Sequence, residues 1–177
     1  MQRMRVVAGT ARGRRLVAPK GLDVRPTTDR AREAIGNRLL SMGLLADATV
    51  VDLFAGTGAL GIEALSRGAA HATFVDNGPL SLRAIEENVT ALGFADQATI
   101  VRADAATFQP RGAVDIAFLD PPYTWDGWPA RLDSLVAKVA VCEARLAIDP
   151  PPGWELVRSD RYGTTVISLL RSTQGIL

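Results

Sequence analysis

The sequence has little of several chemical groups that mark common functional classes. Its 177 residues include one cysteine and one histidine, so neither an internal disulfide nor a zinc site built from histidine and cysteine is expected. Cys142 follows an apolar run and is expected to be a buried thiol, and His71 begins a strand and is expected to be structural or exposed. No apolar run approaches the roughly 20 residues of a membrane span. The N-terminus also lacks the features of a signal peptide, so a cytoplasmic location is expected.

Lysine is scarce as well, and the arginines are unevenly distributed. Residues 1–40 contain ten basic and three acidic residues, a net charge of +7, whereas the rest of the chain carries a net charge of −6. A basic segment on an acidic body is typical of an arm that binds a polyanion. Arginine, with its planar guanidinium, suits bidentate contacts with phosphate. Nucleic acid is therefore one expected class of partner.

The hydropathy pattern divides the chain into two unequal parts. Residues 1–42 are predicted to form a basic β-hairpin from strands 5–8 and 14–17, a loop over 19–26, and a helix over about 29–42. On that helix Arg30, Arg32 and Arg38 are expected to project from the surface. Residues 43–177 alternate strands and helices, with strands predicted near 49–54, 72–76, 99–102, 114–119, 144–148, 154–158 and 164–170, and helices near 58–67, 79–92 and 129–140. This alternation predicts an α/β fold with a doubly wound, mostly parallel seven-stranded sheet of the Rossmann-like type, whose last two strands form an antiparallel pair at one edge.

A glycine loop follows the first strand of the predicted sheet. Residues 52–61 read D-L-F-A-G-T-G-A-L-G, which contains G-x-G-x-x-G and opens a helix. Glycines here let the backbone turn sharply and approach a ligand closely. Asp76 ends the next strand, where its carboxylate can accept hydrogen bonds from ribose hydroxyls. Dinucleotide-binding proteins and methyltransferases share this arrangement, so the loop alone does not decide between them.

Three further features favour S-adenosylmethionine over a dinucleotide. Asp52 lies four residues before Gly56, where a carboxylate suits a cofactor with an ammonium and a sulfonium but repels a pyrophosphate. Asp104 follows the third strand and can accept a hydrogen bond from an adenine amine. No length remains for a separate hydride-acceptor domain. We expect S-adenosylmethionine, with S-adenosylhomocysteine as product and no metal, and the predicted cofactor-binding residues are Asp52, Phe54, Ala55, Gly56, Thr57, Gly58, Asp76 and Asp104.

The fourth predicted strand ends in a tetrapeptide, Asp120-Pro121-Pro122-Tyr123. Ligands of open α/β sheets bind at the carboxyl ends of strands, so these four residues are the predicted catalytic residues. The Asp120 carboxylate and the Pro121 carbonyl can each accept one hydrogen of a base's exocyclic amine, which returns the delocalised lone pair to the nitrogen. The prolines fix φ, and Tyr123 can stack on an extruded base. The motif therefore predicts methyl transfer to a base amine, in which positioning does most of the work.

A second Asp-Pro-Pro sequence provides a comparison within the same chain. Residues 149–151 repeat the first three residues of the tetrapeptide, but no aromatic residue follows them. Because Asp-Pro is common in turns, this copy is expected to be a turn only. Trp125 and Trp128 closely follow the first copy, and the sequence leaves open whether they form a wall of the base pocket or pack elsewhere.

Four segments together resemble the RsmD-type methyltransferases, which methylate the exocyclic N2 of one guanine in bacterial 16S ribosomal RNA. They are G-T-A-R-G-R-R-L at 9–16, L-D-V-R-P-T-T-D-R-A-R-E at 22–33, the glycine loop, and the tetrapeptide. The resemblance runs from about residue 4 to the C-terminus, and its most specific part is R-P-T-T-D-R at 25–30. It implies an RNA-binding extension over 1–42 and a methyltransferase domain over 43–177. The RNA-binding residues that it implies are Arg12, Arg14, Arg15, Arg25, Thr28, Arg30 and Arg32.

One position departs from that family. Its members often carry a tryptophan or another large residue where Ala11 stands, which implies a weaker contact between the hairpin and RNA in this chain. The C-terminal strands resemble the family least, so no functional residue is assigned there.

The sequence therefore predicts a monomeric guanine-N2 methyltransferase that acts on 16S ribosomal RNA, within a partly or fully assembled 30S subunit. A DNA adenine- or cytosine-amino methyltransferase is the main alternative, although no target-recognition domain is apparent. A methyltransferase for glutamine side chains of proteins would not need the basic arm. A non-catalytic RNA-binding assembly factor is the alternative from another class, and the intact glycine loop and tetrapeptide argue against it.

Overall fold

A computed structural model describes residues 4–19, 28–112 and 114–175. The helices are α1 (Asp29–Ser41), α2 (Ala59–Ser66), α3 (Pro79–Leu92) and α4 (Trp128–Ser134). The strands are β1 (Thr49–Leu53), β2 (His71–Asp76), β3 (Ala98–Arg102), β4 (Val114–Leu119), β5 (Ala137–Ala144), β6 (Trp154–Tyr162) and β7 (Thr165–Ser172). Within these ranges no helix has the length and apolar character needed to cross a lipid bilayer.

The seven strands form one sheet in the order β3-β2-β1-β4-β5-β7-β6. The first five strands in this order pair in parallel, and β7 pairs antiparallel with both β5 and β6. This confirms the predicted doubly wound sheet and its antiparallel pair at one edge. The order reverses between β1 and β4, and ligands of such sheets bind in the crevice at this point.

One helix and one strand lie where the sequence analysis did not place them. The predicted helix over 129–140 is wrong beyond Ser134, and the predicted strand near 144–148 is wrong because β5 occupies Ala137–Ala144. This strand lies between β4 and β7 and is buried along most of its length. Apart from Lys138 and Glu143 its residues are therefore apolar on both faces, and the short apolar run over 139–142 does not distinguish a strand from a buried helix.

The N-terminal hairpin is also less regular than predicted. The described part of its two arms shares a single antiparallel bridge, between Arg5 and Arg15, rather than two paired strands. Backbone hydrogen bonds still join the arms, from the Val6 N–H to the Arg14 carbonyl at 2.9 Å and from the Leu16 N–H to the Met4 carbonyl at 3.0 Å. The N–H groups of Val7 and Ala8 donate instead to the Glu63 carboxylate of α2, at 2.9 and 3.0 Å. The first arm is therefore bound both to the second arm and to α2.

Polar side chains of α2 and α3 hold the described part of the hairpin on the body, chiefly those of Glu63, Ser66 and Asn88. Ser66 Oγ accepts a hydrogen bond from the Ala11 N–H at 3.0 Å, and Ala11 is buried. Ala11 therefore packs on α2 instead of facing solvent. A Cβ atom on Gly9 would lie 1.9 Å from the Ser66 carbonyl oxygen, so only glycine permits this close approach.

The sheet is covered on both faces, and two hydrophobic clusters result. One includes residues of α1, α2 and α3 together with Val6 and Leu16 of the hairpin, and the other includes Leu132 of α4. Cys142 is a buried free thiol in the second cluster, as predicted, and burial raises its pKa. His71 begins β2 at the amino edge of the sheet, and its Nε2 lies 2.9 Å from Thr99 Oγ1.

Candidate active site

The carboxyl edge of the sheet brings the two predicted motifs together. In the parallel register of β1 and β4, Leu53 pairs with Leu119, and these are the last residues of the two strands. Phe54 of the glycine loop and Asp120 of the tetrapeptide therefore leave the sheet side by side. Asp76 ends β2, and Asp104 follows β3, at the same edge.

Asp52 organises the glycine loop from inside the protein. Asp52 is only 2% exposed, and its Oδ2 accepts a hydrogen bond from the Gly61 N–H at 2.9 Å. Burial raises its pKa from 3.8 to about 7, the hydrogen bond from Gly61 opposes this, and the nearby Asp76 adds a smaller rise. A Cβ atom on Gly61 would lie 2.4 Å from Phe74 Cε1, so the third glycine of the motif allows α2 to pack closely on β2.

Asp76 joins the glycine loop to the loop before α3. Its Oδ2 accepts the Gly56 N–H at 2.9 Å, and its Oδ1 accepts the Gly78 N–H at 2.8 Å. A carboxylate has about four acceptor positions, so Asp76 keeps capacity for ribose hydroxyls. Asp104 is exposed, and its Oδ1 accepts the Ala106 N–H at 2.9 Å. Both carboxylates are thus fixed by backbone N–H donors, Asp76 by two loops and Asp104 by its own.

Phe54 connects the glycine loop to the segment after the tetrapeptide. Its φ of 61° lies in the left-handed region, which is a strained conformation for a residue other than glycine and is found most often at functional sites. Its ring meets that of Trp125 edge-on, with centroids 5.2 Å apart, and Trp125 meets Trp128 in the same way at 5.0 Å. The two tryptophans therefore form a row of aromatic rings that begins at the glycine loop.

The tetrapeptide is held on several sides. Asp120 is half-buried, Pro121 is buried, and the Pro122 carbonyl accepts the Trp125 N–H at 2.8 Å. The Tyr123 hydroxyl is hydrogen-bonded to the Thr165 hydroxyl at the start of β7. The motif thus has a defined conformation at the crevice beside β1.

The second Asp-Pro-Pro lies in the connection between β5 and β6. Its Pro151 carbonyl accepts the Trp154 N–H at 3.1 Å, immediately before β6. This copy is a turn, as predicted.

The candidate RNA-binding residues fall into several groups. Arg12, Arg15 and Arg30 are exposed. Arg14 is exposed too, but its Nη2 donates to the Ala91 carbonyl at 2.7 Å, near the end of α3. Thr28 caps α1 by accepting the Ala31 N–H at 3.2 Å. Arg25 lies outside the described residues.

The expected surface position of Arg32 is wrong. The residue is 1% exposed, and its Nη2 donates to Asp29. The buried face of α1 is wider than the apolar spacing indicates, since it includes Arg32 and Gly36, one turn apart, as well as Ala31, Ile35 and Leu39. Arg67 of the neighbouring helix occupies the space above Gly36.

Three residues near this edge were missed by the sequence analysis. Asn88 of α3 is buried, accepts the Val17 N–H at 2.7 Å and donates to the Thr57 carbonyl at 3.0 Å. Thr165 and Arg145, which contact Tyr123, lie in the C-terminal part of the chain. Of these three residues, Asn88 alone has a signal in the sequence, because it is a polar residue on the buried face of α3. That signal indicates that its amide has a hydrogen-bond partner, but it does not identify the partner. In the described ranges no cluster of three or more histidine, cysteine, aspartate or glutamate side chains is arranged to hold a metal ion.

Comparison with known proteins agrees with this geometry. The sequence profile of a family described as conserved hypothetical protein 95 matches residues 4–171. The chain is 42% identical over 127 residues to the putative rRNA methyltransferase YlbH of Bacillus subtilis, and 39% identical over 122 residues to ribosomal RNA small subunit methyltransferase D of Escherichia coli. Each alignment covers 68% of this chain, and they cover 67% and 60% of the two relatives. A solved structure of the putative methyltransferase yhhF from Escherichia coli is 33% identical, with a TM-score of 0.82 over 96% of this chain and 98% of that one.

The sheet order, with the glycine loop at its switch point and the tetrapeptide beside it, defines a Rossmann-like fold of the methyltransferase type. The family is shown by the profile match over residues 4–171 and by the sequence identity to the two relatives from Bacillus subtilis and Escherichia coli. The chain belongs to the RsmD family.

Proposed function

We propose that this protein transfers a methyl group from S-adenosylmethionine to the exocyclic N2 of a guanine in 16S ribosomal RNA. The observation that carries the proposal is the register of β1 and β4, which sets the glycine loop beside Asp120. The methyl donor and the acceptor amine would then occupy adjacent places at one edge of the sheet.

The residues at this edge fit the cofactor in chemistry and in order. The loop from Phe54 to Gly58 would receive the methionine part, Asp76 the ribose, and Asp104 the adenine amine. Burial raises the pKa of Asp52 to about 7, and the ammonium of the cofactor, bound at the loop above it, would favour the charged form of this carboxylate. S-adenosylmethionine supplies an electrophilic methyl group, and the product is S-adenosylhomocysteine.

The tetrapeptide would prepare the acceptor amine. The Asp120 carboxylate and the Pro121 carbonyl accept its two hydrogens and hold the nitrogen where its lone pair points along the line of transfer. One N–C bond forms as one C–S bond breaks, and the amine proton that is lost passes through its hydrogen bond with the Asp120 carboxylate to water. No other strong base is needed, because positioning supplies most of the rate.

The hairpin and α1 would contact the RNA. Arg12, Arg15 and Arg30 are exposed and extend from the segment that carries the excess positive charge. Arg14 holds the hairpin on α3, and Arg32 is buried against Asp29, so we expect both to act by keeping the arm in place. The substrate would be the RNA within a partly or fully assembled 30S subunit, and the protein would act as a monomer.

Replacement of Arg12 and Arg15 by alanine is expected to weaken RNA binding and to flatten its salt dependence. Each lost phosphate contact lowers the slope of log K against log salt by about 0.7 to 0.9. The measurement is a salt titration of RNA affinity, with cofactor affinity as the check on folding. Arg14 is left in place because its contact with Ala91 would confound the result. An unchanged slope would exclude the hairpin as a phosphate-binding surface.

The decisive experiment measures transfer of labelled methyl to 30S subunits and to naked 16S RNA from a strain that lacks this protein. The labelled nucleoside is identified by mass spectrometry. N2-methylguanosine is expected, and the preferred substrate will show whether assembled ribosomal protein is recognised. Label on adenine or cytosine would contradict the guanine assignment. Absence of label in either RNA, with cofactor binding intact, would refute the proposed function.

A further inference from the structure

Arg145 is a cation at the candidate active site to which no role has been assigned. It follows β5 directly, and so lies at the carboxyl edge of the sheet, where Asp120 follows the neighbouring strand β4. Its side chain is exposed, and its Cζ lies 5.2 Å from the centroid of the Tyr123 ring. One face of this tyrosine therefore carries a guanidinium that is open to solvent.

The position of Arg145 is fixed by the strands around it. Ala144 of β5 pairs with Val166 of β7, so Arg145 and Thr165 leave adjacent strands at the same edge. The Thr165 hydroxyl holds the Tyr123 hydroxyl, while Arg145 packs over the ring. The tyrosine is thus held at two points by the C-terminal strands, and its ring in turn gives the guanidinium a defined place.

The charge of Arg145 has no ionic partner within the described part of the chain. The ion pairs of the nearby strands β6 and β7 join Arg158 to Asp160 and Arg171 to Glu155, and none of the described ion pairs includes Arg145. A guanidinium that lies over an aromatic ring can still direct its N–H donors to other acceptors. Those donors suit the oxygens of a phosphate, with which arginine forms bidentate contacts.

We propose that Arg145 binds a backbone phosphate beside the target nucleotide and so holds that nucleotide over Asp120. The inference rests on the proposed methylation of RNA. An enzyme that acts on a base within structured RNA rotates the nucleotide out of its stack, so the phosphates flanking that nucleotide lie at the rim of the pocket. Arg145 is at this rim, next to the tetrapeptide that receives the base.

Two substitutions of Arg145 and one control test the inference. Arg145→Ala is expected to raise KM for RNA about tenfold, the effect of losing one charge-assisted contact, with kcat and cofactor affinity nearly unchanged. The slope of log K for RNA binding against log salt should decrease by the contribution of about one phosphate contact. Arg145→Lys should restore most of the slope because it keeps the charge. Arg111→Ala removes an exposed arginine near the amino end of β4, at the opposite edge, and should match wild type.

The outcomes separate this inference from the proposed function. If Arg145→Ala keeps the wild-type KM and salt slope, Arg145 binds no phosphate. If kcat falls while the salt slope is unchanged, Arg145 only braces Tyr123, and the inference is again overturned. If wild-type protein methylates no ribosomal RNA, the proposed function fails, whereas the salt slopes of the variants still report on the phosphate contact.

Discussion

Asp120→Ala is expected to lower kcat for methyl transfer by about 10²- to 10⁴-fold, the range for loss of a group that handles the reacting proton. Cofactor affinity should be nearly unchanged. The reason is topological, since Asp120 follows β4, whereas the predicted cofactor-binding residues lie on β1, at the end of β2, and after β1 and β3. Single-turnover kinetics with labelled cofactor, together with calorimetric binding, will measure the two effects separately.

The second Asp-Pro-Pro provides a matched control for this substitution. Asp149→Ala removes the same residue from the same tripeptide in the turn before β6, and it should leave kcat unchanged. Asp120→Asn keeps the shape of the side chain and one acceptor oxygen but loses the charge, so its kcat should fall between wild type and Asp120→Ala. A large loss of cofactor affinity in Asp120→Ala would place this carboxylate in the donor site instead.

Asp52 is expected to make cofactor binding depend on pH. Its pKa is raised from 3.8 to about 7 by burial, so the carboxyl is largely protonated below pH 7. A bound ammonium favours the charged form, and binding must then release a proton in this range. The Kd for S-adenosylmethionine should therefore rise by up to about tenfold for each pH unit below 7. Above pH 7 it should level off, and Asp52→Asn should remove the dependence.

The same shift sets the sign of the effect of Asp52 on stability. Between pH 4 and 7 the unfolded chain releases a proton that folded Asp52 retains, so its contribution to stability falls as pH rises through this range. Asp115→Asn is the control, because Asp115 near the amino end of β4 is paired with Lys138 at 2.8 Å and has a lowered pKa. It should leave the pH dependence of cofactor binding intact. A cofactor Kd that is constant between pH 5.5 and 7.5 in wild type would show that Asp52 does not titrate there.

Much of the fold and of the site could be predicted because the signals are local. The apolar strands β1 and β4 each end in a motif, and parallel strands bring their carboxyl ends to one edge. The glycine loop needs no partner distant in sequence to be recognised. The edge pair β6 and β7 was predictable because no helical segment separates the two strands.

The rest depends on contacts between distant parts of the chain. Tyr123 and Thr165 are 42 residues apart, and neither residue type indicates the other. The N–H groups of Val7 and Ala8 in the hairpin bind Glu63, which is 3% exposed and more than 50 residues away. Arg32 has the polarity of a surface residue, and only the packing of α1 on α2 shows that it is buried. A residue's neighbours in space, rather than its own character, decided each of these cases.

Asn88 of α3 links the N-terminal hairpin to the glycine loop. A single amide holds Val17 at the end of the basic arm and the Thr57 carbonyl in the glycine loop. If the arm moves when RNA binds, the hydrogen bonds of Asn88 would therefore shift the glycine loop. Cofactor binding at this loop would in the same way shift the arm. Such linkage is reciprocal by thermodynamic necessity, so each ligand would change the affinity of the other by the same factor. The strength of the coupling between the two substrates would then depend on this one side chain.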